Sequence, residues 1–149
     1  MRMQLEIRQD AGYALLMANA EAGMMRHEYV GTEHLLLGLL RQEGGAVVGT
    51  LARMGVNPSL LRTLTTTALG VERDGPEDDL QRPFTSRCMR VIAESEREAV
   101  EQGHTKVTAG DLLLGLFREG VGVGGQVLVA AGLEADAVRA QLREIESAT

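Results

Sequence analysis

"HEYVGTEHLLLGLLR", residues 27–41, and "HTKVTAGDLLLGLFR", residues 104–118, are two versions of one stretch. The offset is 104 − 27 = 77 residues, and it continues without a gap on both sides. It pairs Glu21-Ala22 with Glu98-Ala99, Val30 with Val107, Arg41 with Arg118, Leu51 with Leu128, Gly55 with Gly132 and Arg62 with Arg139. An internal duplication of this kind sets the architecture before any local pattern does.

Each copy reads as helices. Ala11, Ala14, Leu15, Ala18, Ala22 and Met25 recur at helical spacing and form one apolar stripe. Cys88, Val91, Ile92, Ser95 and Ala99 repeat it in the second copy. A short helix with the Leu-rich run follows, opened in the second copy by Thr108 with Asp111 three residues on, a capping-box pattern. A third helix is expected over residues 46–54, closed by Gly55. Asn57-Pro58 reads as a cap and first residue opening a fourth helix through Leu61, Leu64 and Ala68. Its counterpart carries Val138, Leu142 and Ile145. Between the copies, "GVERDGPEDDLQRP" is charged, rich in Pro and Gly and without apolar period, hence a linker. The expected fold is all-α, with two tandem four-helix repeats packed as one pseudo-twofold domain. Repeat one covers 1–69, the linker 70–83 and repeat two 84–149.

The composition fits this. Aromatic residues make up 3% of the 149 residues and Trp is absent, so Leu, Val, Ala and Met must build the core, a mix that favours helices. The net charge of −6 opposes binding to nucleic acid or anionic lipid. Lys106 is the sole lysine beside fourteen arginines, which we read as a base-composition bias. A lone cysteine, Cys88, excludes an intramolecular disulfide framework and a cysteine zinc site. No apolar run approaches the ~20 residues of a membrane span, and the N-terminus has no signal-like apolar segment. The expected location is cytoplasmic.

Catalytic chemistry finds little support. "EGVGVGGQ", residues 119–126, spells G-x-G-x-x-G through Gly120, Gly122 and Gly125. A dinucleotide fingerprint needs a preceding strand, and "DLLLGLFRE" is helical. In the other copy Gly120, Gly122 and Gly125 become Glu43, Gly45 and Val48, so the shared element is a turn between helices. The P-loop pattern is absent, as is any nucleophile elbow. Cys88 aligns with Ala11 on a core stripe and reads as a small buried residue. His27 and His104 are equivalent after equivalent helices, which favours a structural role at a helix end. His34 faces Asp111 across the duplication, and the three histidines lack metal-site spacing. We therefore expect no enzyme, cofactor or metal. Glu33 stands apart, in the first turn of a short helix. It either serves the helix dipole or, beside backbone N–H groups, holds a zwitterion, with guanidinium on the carboxylate and an anion on the amides.

The duplicated "GTEH"-Leu pattern, "PFTSRCMRVIAESEREAVEQGH" and "REGVGVGGQVLVAAG" together resemble the N-terminal domain of Clp-family (Hsp100) ATPases, especially the ClpC type. The resemblance covers essentially the whole chain. It implies a non-enzymatic domain that docks adaptors and substrates, proteins or peptides, for an attached unfoldase feeding a Clp protease. It also implies recognition of phosphorylated arginine, with the glutamate of "GTEH" facing the guanidinium while amides and threonine hold the phosphate. Gly31, Thr32, Glu33 and His34 match that motif, whereas the second copy reads Thr108, Ala109, Gly110 and Asp111, so at most one such site is expected. The family's cleft for partners and cyclic-peptide antibiotics lies near the start of each repeat's first helix. Phe84 and Thr85 match it, Met89 stands where a basic residue is common, and the first copy has Ile7 and Arg8 instead. ATPase modules are missing. Met1, the plain helical end and the eroded second motif favour a stand-alone protein. A decoy that sequesters cyclic-peptide toxins or competes with a ClpC unfoldase is the alternative, and a structural oligomerisation module a further one. A helical transcription regulator is opposed by the acidic charge.

Overall fold

The computed structural model describes residues 3–70, 74–75, 78 and 80–147. The element order is β1 (Glu6–Ile7), α1 (Gln9–Met24), α2 (Thr32–Leu39), α3 (Ala46–Arg53), α4 (Pro58–Leu69), α5 (Ser86–Glu101), β2 (Lys106–Val107), α6 (Ala109–Glu119), α7 (Val123–Ala130) and α8 (Ala135–Ser147). The fold is all-α, and the duplicated sequence produces duplicated structure, α1–α4 against α5–α8.

The Leu-rich runs explain the centre. Leu35, Leu36 and Leu37 of α2 and Leu112, Leu113 and Leu114 of α6 are fully buried. Three consecutive buried leucines need protein on every side of a helix. The packing supplies it: α1 covers α2, α5 covers α6, and α2 and α6 meet in the middle. Truncating any of these leucines to Ala costs about 2–5 kcal/mol. The glycine shared by both runs permits the closest crossing. A Cβ on Gly38 would strike the Ala14 carbonyl on α1, and one on Gly115 would lie 2.7 Å from the Val91 carbonyl on α5.

The copies interlock. α3 packs on α8 and α4 on α7, each helix crossing to the other repeat. Two backbone pairings, absent from the sequence reading, do the same. β1 and β2 run parallel with Ile7 opposite Val107, and Val30 bridges to Phe84. Under the 77-residue offset these are one contact made twice, in opposite directions. The hydrogen bonds repeat it: Arg8 N–H donates to the Val107 carbonyl at 2.8 Å, and Thr85 N–H to the Val30 carbonyl at 2.9 Å. Pieces this short leave no alternating pattern in sequence.

A buried charge cluster is duplicated as well. Glu98 on α5 is held by Arg118 on α6 and Arg139 on α8. Glu21 on α1 has Arg41 and Arg62 at 3.6 and 3.7 Å. These are the glutamate and arginines that recur across the duplication, so their recurrence reflects one ion cluster needed in each copy.

Other expectations hold in detail. Asn57 accepts the Ser59 N–H at 2.8 Å, and Thr108 with Asp111 forms the capping box of α6. The interval between α4 and α5 is less featureless than expected. Residues 71–73, 76–77 and 79 of the linker lie outside the described residues. Further on, Asn19 binds the Leu80 carbonyl and the Arg82 N–H, and Arg82 donates to the His27 carbonyl at 3.0 Å and to Asp78 at 2.9 Å. That segment is fastened to α1.

Candidate functional site

The entry to α2 is built around His34, which is fully buried. Gly31 N–H donates to its Nδ1 at 2.9 Å, and its Nε2 lies 2.8 Å from His27 Nδ1. The neutral ring therefore carries its proton on Nε2 and donates it to His27. Burial, with the nearby His27 and Arg82, brings the His34 pKa down to about 3, so the ring is uncharged near neutrality. In the second copy Asp111 does the same work: its Oδ2 accepts the Thr108 N–H and meets His104 Nδ1, both at 2.9 Å. The position demands an acceptor facing the cap residue, not a histidine. His27 and His104 accordingly bond a side chain seven residues on, rather than a helix-end carbonyl. His34 spends both nitrogens inside the protein. It holds the loop and does not itself line the cavity beside Glu33.

Gly31 also acts indirectly. The Glu33 carboxylate folds back into the space a Cβ at residue 31 would need. The second copy holds the reverse pair, Thr108 with a side chain and Gly110 without one. Glu33 is 9% exposed, and burial raises its pKa, opposed by its own backbone N–H and by His27. The desolvated carboxylate lines a cavity of about 290 Å³ with Tyr29, Thr32, Thr85, Arg87, Val121, Gly122 and Val123.

That cavity lies between the repeats. α2 supplies Thr32 and Glu33, the start of α5 supplies Thr85 and Arg87, and the α6–α7 turn closes it. Thr32 Oγ1 accepts the Gly124 N–H at 3.1 Å, and Thr85 Oγ1 accepts the Cys88 N–H at 3.0 Å. Each hydroxyl keeps its proton to donate. Arg87 pairs with Glu119 at 2.8 Å. Glu119 also takes the Gly122 and Val121 N–H groups, and these donors with Arg87 draw its pKa down against its burial. The glycine pattern thus has a packing purpose. Gly120, at φ 71, ends α6. Gly122 caps α7 so close to Thr32 and Arg87 that a Cβ would lie 2.5 Å from the Thr32 hydroxyl.

The structure splits the expected site residues. Thr32, Glu33 and Thr85 share the inter-repeat cavity. Phe84 and Met89 line a separate groove of about 540 Å³ on α5, with Met3, Ile92, Ala93, Arg90, Glu94 and Arg97. Arg87 and Tyr29 were missed, because an arginine three residues past Phe84 signals nothing until α2 folds against α5. Cys88 is buried and its thiol is pushed up to about 12, by burial first and Glu33 second, so it supplies no thiolate.

These features define a duplicated all-α domain with ligand-sized cavities at its inter-repeat seam. The chain belongs to the Clp repeat (R) N-terminal domain family, whose model matches residues 7–145. It is similar to the chaperone protein ClpC1 of Oryza sativa chloroplasts, 36% identical over 128 residues, covering 86% of this chain and 14% of that protein. A ClpA homologue from Guillardia theta is 38% identical over the same length, covering 15% of that protein. The chain therefore spans about a seventh of those relatives. Among solved structures, the N-terminal domain of ClpD from Arabidopsis thaliana matches with a TM-score of 0.71, 22% identity and coverage of 93% and 96% of the two chains. The Hsp104 N-terminal domain from Candida albicans matches with a TM-score of 0.74, 13% identity and coverage of 97% and 93%.

Proposed function

We propose that the chain is a non-enzymatic docking module of a Clp unfoldase system, acting in the cytoplasm, that captures proteins or peptides bearing phosphoarginine. The carrying observation is that Glu33 and Arg87, the latter held by Glu119, both line one small cavity between the repeats. A carboxylate and a guanidinium with two hydroxyl donors match a ligand carrying one cation and one anion. The Glu33 carboxylate takes the ligand guanidinium through charge-assisted hydrogen bonds. Arg87, Thr32 and Thr85 take the phosphate. The second copy offers no equivalent, since Gly110 replaces the carboxylate. The match to ClpC-type proteins supports the reading. So does a solved ClpV N-terminal domain from a type VI secretion system, 19% identical with a TM-score of 0.70, which shares the fold.

The groove at Phe84 and Met89 supports a second contact. Its apolar residues, flanked by Arg90, Glu94 and Arg97, suit an apolar peptide, adaptor-borne or cyclic, and form the surface on which a toxin-sequestering decoy would depend.

The test is a fluorescence titration with a phosphoarginine peptide, with arginine and phosphoserine versions as controls. Charge-assisted hydrogen bonds of about 1.5–3 kcal/mol predict a loss of roughly tenfold to a hundredfold in Glu33→Ala and selective loss of the phosphate preference in Arg87→Gln. Equal affinity of wild type and Glu33→Ala removes Glu33 from the site.

A further inference from the structure

Residues 3–5, ahead of β1, lie against α5 as an extended strap. Met3, Leu5 and Ile7 alternate with the exposed Gln4 and Glu6, and the three apolar side chains pack partly buried against the core. Glu96 on α5 clasps the strap: its Oε2 accepts the N–H of Gln4 at 2.5 Å and that of Leu5 at 2.7 Å. Met3 reaches the Phe84–Met89 groove and forms part of its lining. The duplication repeats the device. Asn19, the counterpart of Glu96, accepts the N–H of Arg82, the counterpart of Leu5, at 3.0 Å. That copy is held harder. The Asn19 amide also donates to the Leu80 carbonyl at 2.7 Å, and the Arg82 guanidinium binds Asp78 and the His27 carbonyl. A carboxylate has no proton to donate and Leu5 has no guanidinium, so those added bonds have no counterpart on α5.

We propose that this strap is a movable wall of the groove: it narrows the space beside Phe84 and Met89 while Glu96 holds it, and an apolar ligand enters by displacing Met3. The inference rests on the reading of that groove as a peptide surface. The hinge lies between Leu5 and Glu6. Beyond it β1 is fixed, since Ile7 pairs with Val107 and the Arg8 N–H donates to the Val107 carbonyl at 2.8 Å. Before it, the bonds to Glu96 join partly exposed groups, and segments held by a few exposed bonds open locally at low cost. The strap thus acts as an internal competitor. It lowers the apparent affinity of a groove ligand by the fraction of molecules in which it is open.

Amide exchange and dye binding test the strap separately from the groove. In wild type the Gln4 and Leu5 amides should be protected from exchange. Glu96→Ala should speed both by at least about tenfold while leaving Arg8 protected. Glu96→Gln, which keeps an acceptor as Asn19 does, should stay closer to wild type than to Glu96→Ala. Nile red, an uncharged apolar dye, reports the groove through its fluorescence and through shifts of the Met89 and Ile92 amide signals. It should bind Glu96→Ala and Met3→Ala about threefold to tenfold more tightly than wild type. Unprotected Gln4 and Leu5 amides in wild type, or the same exchange in Glu96→Ala, would overturn the proposal. Released amides with unchanged dye affinity would show that the strap closes nothing, and would leave the groove reading intact. Dye that shifts no groove signal even in Glu96→Ala would overturn the groove reading and the inference with it.

Discussion

Replacing Glu98 by Gln tests the buried ion cluster. Glu98 is 1% exposed. Arg139 binds both carboxylate oxygens at 2.9 Å, Arg118 adds a contact at 3.3 Å, and Gln102 donates at 2.7 Å. Burial alone would raise the carboxyl pKa, but Arg139, Gln102 and Arg118 outweigh it and hold the value at about 2. An unfolded glutamate titrates near ~4.3. A pKa depressed on folding stabilises fully above the unfolded value, and that stability drains as pH falls from about 4.3 towards 2. At about 1.4 kcal/mol per unit the gap is worth about 3 kcal/mol, which we lower to about 2 because water reaches both arginines. Glutamine keeps the shape and removes the buried charge, leaving Arg118 with Glu94 and Glu101 and Arg139 with the exposed Asp136. The expected loss at pH 7 is about 2 kcal/mol, or about 4–8 °C in Tm for a domain of this size. Urea unfolding of both proteins, followed by far-UV circular dichroism at pH 7, pH 5 and pH 3.5, measures it. The difference between the proteins should shrink by about 1 kcal/mol at the lowest pH, where the unfolded glutamate is protonated while the folded one keeps its charge. A difference below about 0.5 kcal/mol at pH 7, or one constant with pH, refutes the reasoning.

Three further predictions concern the entry to α2. Nitrogen-15 NMR should find His34 as the Nε2–H tautomer, with no titration between pH 8 and pH 5; its depressed pKa adds stability above ~6.5 that is lost as pH falls towards 3, and a ring titrating near 6 would refute the assignment. His34→Asp, which copies the acceptor in the second repeat, should retain more stability than His34→Ala in the same unfolding assay. Gly31→Ala should displace the Glu33 carboxylate from the space it now fills, weakening phosphoarginine binding about tenfold while the fold persists; unchanged affinity would show that the carboxylate does not need that position.

Much of the scaffold is legible in the sequence because its signals are local and stated twice. The apolar stripe of α1 and its echo on α5, the Asn57 cap and the Thr108–Asp111 box each fix a helix within a few residues. What the sequence conceals depends on contacts between distant segments. The pairing of Ile7 with Val107 spans a hundred residues and involves strands too short for any period. The crossing of α3 onto α8 follows from how two repeats share one core, which no single helix records. The candidate site was half legible. Glu33 is conspicuous as a charge at a helix start, and the resemblance pointed to Thr32 and Thr85. Arg87 became visible only when the seam closed. His34 belongs to the same motif, but its partners in the structure are Gly31 and His27.

The duplication supplies an internal control for separating scaffold from site. Two copies under one packing requirement keep the same residue wherever the core dictates it. Leu35–Leu37 and Leu112–Leu114 match, as do the glutamate and arginines of the ion cluster and the histidine that ends the first helix. At the entry to α2 and α6 the residue differs but its task does not, since His34 and Asp111 both accept the cap N–H. At the seam cavities both residue and charge differ: Glu33 against Gly110, Thr85 against Arg8, Tyr29 against Lys106. Packing contributes to that divergence, since a Cβ on Gly110 would lie 3.0 Å from Leu142 on α8, where the other copy has the smaller Thr65. The seam is where the shared packing requirement is weakest, since Arg8 and Lys106 are partly exposed while Leu35–Leu37 and Leu112–Leu114 are not.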